Sequence, residues 1–67
     1  MIIVQNERRF AVYYRTNRRT QWRYATYAGR WESLERAIAE AKDRLAKQVG
    51  EYRIEDASTD NIHTGTT

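Results

Sequence analysis

The stretch RRFAVYYRTNRRTQWRYATY, residues 8–27, sets six arginines among six aromatic side chains with only small or polar spacers. Arginine's planar fork pairs with phosphate in bidentate fashion and stacks on rings, which a lysine ammonium does not do. Tyrosine and tryptophan supply flat faces and one polar atom each. At this density the two residue types suit a surface that grips something anionic or flat. Nucleic acid is the leading candidate and an acidic protein the alternative. The charge balance sharpens this. Residues 1–31 carry seven arginines against Glu7 alone, or +6, whereas residues 32–67 carry five basic and eight acidic side chains, or −3. A net +3 therefore conceals a basic first half whose cations are all arginine.

Other constellations offer less chemistry. Ser58, Asp60 and His63 are hydrolase residue types, but they crowd near one end of the chain with no oxyanion hole in view, so no enzyme is expected. DASTDN resembles a calcium loop at Asp56, Ser58 and Asp60, yet Asn61 stands where the turn glycine belongs and Thr67 where a bidentate Glu is needed. It reads as a polar turn. There is no cysteine, and Gly29 stands alone without a phosphate-binding glycine pattern, so neither metal nor cofactor is expected. The opening MIIVQNERRF has too short an apolar run for a signal peptide or a membrane span, which points to a cytoplasmic protein.

Three parts must position the arginines. The first is β: IIV, RFAVYYR and QWRYATYA are rich in β-branched and aromatic residues and broken at QNER and RTNRRT. If the second and third strands pair so that residue numbers sum to 36, Tyr14 faces Trp22, Val12 faces Tyr24 and Phe10 faces Thr26. Asn17, Arg18 and Arg19 then form the loop, with Asn17 suited to a left-handed position. If the first two pair to a sum of 14, Val4 faces Phe10 and Ile2 faces Val12. One parity then covers all three strands. Even numbers (Ile2, Val4, Phe10, Val12, Tyr14, Trp22, Tyr24, Thr26) point inward. Odd numbers, including Ile3, Arg9, Ala11, Tyr13, Arg15, Arg23, Ala25 and Tyr27, point outward.

The second part, WESLERAIAEAKDRLAKQVGE, reads as a helix. Ser33 is its N-cap and Glu35 lies in the first turn. Leu34, Ala37, Ile38, Ala41, Leu45 and Val49 form its apolar stripe, and Gly50 is its stop. The third, EYRIEDASTDNIHTGTT, reads as a strand rejoining an open sheet edge, a turn, and a weak return at NIHT. The expected fold is α+β: an antiparallel three-to-four-stranded sheet in the order β-β-β-α-β, with one helix on one face. Residues 1–63 form the domain and 64–67 a flexible tail. One helix cannot cover both faces, so the odd-numbered face is left for a partner, with Tyr13 beside Arg23, Arg9 beside Tyr27, and Arg15, Arg18 and Arg19 at the turn end. A β-ribbon of this width can enter a major groove.

RRFAVYYR, QWRYATYAGRW and ESLERAIAEAKDRLA, with the run WESLERA ahead of and into the helix, resemble two groups of DNA-binding domains. These are the phage-integrase arm-type N-terminal domains and the plant ethylene-response-factor domains. The resemblance covers roughly residues 2–48. It implies a three-stranded sheet laid in the major groove, with Arg9, Tyr13, Arg15, Arg23 and Tyr27 at the contact. A terminal YRI-D strand is also similar to small sheets of phage and bacterial proteins, implying such an origin. A homodimer through Ile3, Tyr13 and Tyr27 is the remaining alternative to a monomer.

Overall fold

The computed structural model describes residues 8–67. The strand expected over IIV lies outside the described residues. The fold is α+β, with one helix on an antiparallel sheet of five strands rather than three or four.

β1 (Phe10–Arg15) is the strand around which the sheet is organised. On one side it pairs with β2 (Arg23–Tyr24) and β3 (Arg30–Trp31), and on the other with β4 (Glu51–Asp56). β5 (Ile62–Thr66) then pairs with β4, giving the order β2-β1-β4-β5 with β3 beside β2. The strand after the helix thus enters the middle of the sheet, and the weak return at NIHT is a full strand running through Thr66.

Alternation along β1 behaves as expected. Phe10 and Val12 are buried toward the helix with Tyr14 packed beside them, while Tyr13 and Arg15 look the other way. β4 repeats the pattern: Val12 pairs with Ile54 and Tyr14 with Tyr52, and both β4 residues are buried.

α1 (Leu34–Arg44) begins where capping chemistry puts it. Ser33 Oγ accepts the Arg36 N–H at 3.1 Å, and Glu35 meets the positive end of the helix dipole. Its buried face is Ala37 and Ala41. Small side chains let the helix axis approach the sheet, which supplies the bulk as Phe10, Val12, Tyr52 and Ile54. Leu45, fully buried, closes the end of this core, and burying such a side chain is worth about 1.5–3 kcal/mol.

The helix is shorter than its apolar stripe suggested. It ends at Arg44 with Leu45 as C-cap, so Val49 falls outside it and is 85% exposed. Gly50 is not its stop. Gly50 introduces β4 at φ 156°, where a Cβ would collide with the Arg15 carbonyl oxygen; that close approach is what the glycine permits. No described helix is long and apolar enough to cross a membrane.

Candidate nucleic-acid interface

The β1–β2 hairpin determines where the arginines go. Its register differs by one residue from the expected pairing: Tyr13 stands opposite Tyr24 and Tyr14 opposite Arg23, so paired numbers sum to 37. The turn explains the slip. Thr20 N–H donates to the Asn17 carbonyl at 3.2 Å, and the Asn17 side-chain oxygen accepts the Arg19 N–H at 2.8 Å. Asn17 therefore acts as a side-chain acceptor, not as a left-handed residue; among the described non-glycine residues only Asp60 has positive φ. A four-residue turn over residues 17–20 replaces the expected three-residue loop, and every side chain on the return changes face.

A second irregularity follows immediately. Val12 accepts the Ala25 N–H at 2.9 Å and donates to the Gly29 carbonyl at 3.3 Å, so residues 26–28 are pushed out of the ladder. Gly29, at φ 79°, takes the left-handed conformation that returns the chain to β1 as β3. This excursion buries Ala25 and Ala28 in the core and carries Tyr27 to the helix. There the Tyr27 hydroxyl accepts from Gln48 Nε2 at 2.8 Å and its carbonyl from Arg44 at 3.0 Å.

The expected contact surface is accordingly rearranged. Tyr13 and Arg15 do lie on the open face. Arg23 pairs with Tyr14 and so shares the helix side of the sheet, where it is exposed. Tyr27 belongs to the helix contact, and Arg9 pairs with Asp56 at 3.1 Å, its guanidinium over the Phe10 ring. Neither the Tyr13–Arg23 nor the Arg9–Tyr27 neighbourhood forms. Trp22 and Tyr24, expected inside, take their places on the open face.

That face is an aromatic–guanidinium lattice. Arg15 lies 4.2 Å and Arg53 5.1 Å from the Trp22 ring centre; Arg53 is 5.8 Å from that of Tyr13, which meets Tyr24 edge-to-face at 5.7 Å. Arg53 Nε is buried without a hydrogen-bond partner among the described residues. The electron-rich faces of Tyr13 and Trp22 offset part of that loss. The lattice is charge-balanced, since Arg15 bonds Glu51 at 2.7 Å and Arg53 bonds Glu55. Arg53 stands opposite Tyr13 across the β1–β4 pairing. Its place beside Tyr13 depends on β4 pairing with β1.

Among the described residues, Arg8, Lys42 and Lys47 are exposed outside any ion pair, and the largest group of such cations lies at the sheet's β2–β3 edge. Arg18, Arg19, Arg23 and Arg30 are exposed, and none pairs with a described carboxylate. Arg18 and Arg19 form the hairpin tip. Arg23 lies opposite Tyr14 and Arg30 opposite Ala11, three β1 positions apart, or about 10 Å, and on opposite faces. Arg19 and Arg23, with Tyr14, Arg15, Thr16, Thr20 and Gln21, line a shallow groove of about 590 Å³ at this end. The groove thus offers the guanidinium forks of Arg19 and Arg23 to an anion, while Arg15 is held by Glu51 and the Tyr14 and Thr20 hydroxyls donate to the Val49 and Asn17 carbonyls.

The remaining polar residues are structural. Asp56 accepts from the Ser58 N–H at 3.0 Å, the Ser58 hydroxyl at 2.9 Å and the Thr59 hydroxyl at 2.9 Å. Burial works to raise the Asp56 pKa, but these donors and Arg9 outweigh it, and the carboxyl sits below its ordinary range. Ser58 is thereby committed to a turn, and no hydrogen bond joins Ser58, Asp60 and His63. Among the described residues, no cluster of three or more His, Cys, Asp or Glu side chains is placed to hold a metal.

No protein-family model, curated protein or solved structure matches the chain.

Proposed function

We propose that the chain is a small, non-enzymatic binding module that holds duplex DNA along the arginine-lined β1–β2 hairpin, in the cytoplasm. The observation that carries this reading is the contrast between two sets of arginines. Those at the centre of the open face are neutralised by Glu51 and Glu55, while Arg18, Arg19, Arg23 and Arg30 have no such partner among the described residues. Guanidiniums on both faces of a narrow β-ribbon suit insertion into a groove about 12 Å wide, where each face meets one phosphate wall. Sheet-in-groove docking is also what the resemblance to integrase arm-type and ethylene-response-factor domains implies. Here the contact is the ribbon and its edge, not the flat sheet centre.

Because Trp22 and Tyr13 are occupied by Arg15 and Arg53, base stacking has little to work with, and phosphate contacts dominate. A gel shift of the full chain against mixed-sequence duplex at low salt tests this. Retardation is expected, and it should weaken for Arg19→Ala and Arg23→Ala while Arg9→Ala, an ion-paired site, changes little. Absence of retardation, or equal loss at all three positions, would contradict the reading.

One observation favours a second reading, a protein-interaction module. The same arginine edge suits an acidic protein, and the balanced lattice beside it leaves Tyr24 exposed as an anchor. In that case Tyr24→Ala should cost more partner affinity than Arg18→Ala.

A further inference from the structure

The two edges of the sheet are built differently. The β2–β3 edge is interrupted by the residue 25–29 excursion and carries Arg23 and Arg30, features that keep other strands away. β5, at the other edge, has no arginine, lysine or proline, and its pairing with β4 runs without a bulge. Its backbone groups can be assigned by alternation. Asp56 N–H donates to the Asn61 carbonyl at 3.0 Å and Thr67 N–H to the Gly50 carbonyl at 3.0 Å, flanking the β4–β5 ladder in one register. Antiparallel pairs alternate between bonded and unbonded. His63 and Gly65 therefore spend their N–H and C=O on Ile54 and Tyr52. Ile62, Thr64 and Thr66 turn theirs outward, three donors and three acceptors with no backbone partner among the described residues.

We propose that this edge is a homodimer interface, in which β5 pairs antiparallel with β5 of a second copy about a two-fold axis at Thr64. The register follows from the outward groups. Thr64 faces its own counterpart, and Ile62 faces Thr66 in both directions. Three outward donors from each copy make six interchain backbone hydrogen bonds. On the open face every pair is β-branched against β-branched, a favourable cross-strand combination.

On the helix face, His63 stands opposite Gly65. A Cβ on Gly65 would fall 2.5 Å from the Tyr52 ring, so the glycine already seats one aromatic from inside its own chain. The second copy's imidazole extends that row, continuing the 6.1 Å Tyr52–His63 ring contact across the axis. The strand carries no acid, lysine or arginine, so nothing of like charge meets itself at the axis. Any extended segment satisfies the backbone, but a second copy matches Ile62 with Thr66 and His63 with Gly65 twice over. It also covers Ile62, which is 57% exposed in the single chain. The proposal is independent of the DNA reading, because the arginine edge lies at the opposite side of the sheet.

Sedimentation of the full chain from micromolar to millimolar concentration tests it. The expected mass rises from 8.0 kDa toward twice that value. Thr64→Pro removes an outward N–H while sparing the bonds to β4. Thr64→Lys, at an exposed side chain, sets two ammoniums face to face at the axis. Each is expected to weaken dimerisation about tenfold or more with far-UV circular dichroism retained. If the proline variant does not fold, the lysine variant decides. The Ile62, Thr64 and Thr66 amides should gain exchange protection as concentration rises. A monomer at every concentration would overturn the proposal, as would a dimer indifferent to Thr64→Lys. Concentration-independent protection of those amides in a monomer, which would mean another segment covers the edge, overturns it equally.

Discussion

Tyr13 stands opposite Tyr24, and their rings meet edge-to-face at 5.7 Å with a 65° interplanar angle. The pairing divides the hairpin's labour, because it turns Trp22 and Tyr24 onto the open face and sends Arg23 to the other side. Tyr24→Ala should therefore lower stability by about 0.5–1.5 kcal/mol, the value of such a ring pair. Arg23→Ala, at an exposed site without an ion pair among the described residues, should stay within about 0.5 kcal/mol of wild type. Urea unfolding of the two variants measures this. The opposite ranking would mean that Tyr13 faces Arg23 after all.

Gly65 owes its identity to Tyr52. The tyrosine is buried and pinned between β1 and the helix side, so it cannot swing away from an added methyl group. Gly65→Ala is expected to destabilise by about 1–3 kcal/mol through overpacking. A denaturation midpoint at or above the wild-type value would contradict that contact.

Leu45 closes the core where the helix ends, and it is fully buried. Leu45→Ala should cost about 2–5 kcal/mol, a large share of the stability of so small a domain. Leu34→Ala, at the exposed start of the same stripe, should cost far less. Chemical denaturation of the pair reads the difference directly.

Acid should unfold the domain through its held-down carboxylates. The Asp56 pKa is below its ordinary value; burial opposes this, but the Ser58 and Thr59 donors and Arg9 prevail. Glu40 is lowered by Arg44 and Arg36. A lowered folded-state pKa means that the stabilisation is fully present above the unfolded values, about 3.9 for Asp and 4.3 for Glu. It is lost as pH falls through the lower folded values. Stability should therefore hold from neutrality to about pH 4 and then decline. Asp56→Asn should be less stable than wild type at pH 7 and show a shallower decline. A wild-type midpoint that rises on acidification below pH 4 would contradict the assignment.

How far the sequence revealed these features depended on whether the relevant signal was local. Ser33, Glu35 and the Ala37–Ala41 spacing marked the helix start and its buried face, because caps and stripes are set within one or two turns. Alternation marked Phe10, Val12 and Tyr14 as core and Tyr13 and Arg15 as open-face residues. What escaped was non-local or depended on a single residue of length. The four-residue turn at Asn17 moved Trp22 and Tyr24 to the other face, and no periodicity in QWRY distinguishes the two registers. QWRYATYA reads as uninterrupted strand, yet its second half holds the excursion that draws Tyr27 to Gln48. The lattice partner Arg53, thirty-eight positions from Arg15, became visible only once β4 lay beside β1. Of the expected contact residues, Arg18 and Arg19 are exposed at the hairpin tip, while Tyr13 and Arg15 keep their face but are half-buried within its lattice. Arg23 was assigned by a parity that the turn does not keep, Tyr27 is carried to the helix by the excursion after Ala25, and Arg9 is taken up by Asp56.

The most direct measurement is the salt dependence of duplex binding, compared between wild type and the variant with Arg18, Arg19, Arg23 and Arg30 all changed to alanine. Four phosphate contacts predict a slope of log affinity against log salt of about −3.6, and loss of nearly all of it in the variant, whose fold should be intact. A wild-type affinity that is flat across salt, or a slope that survives removal of the four arginines, would contradict DNA binding by this edge.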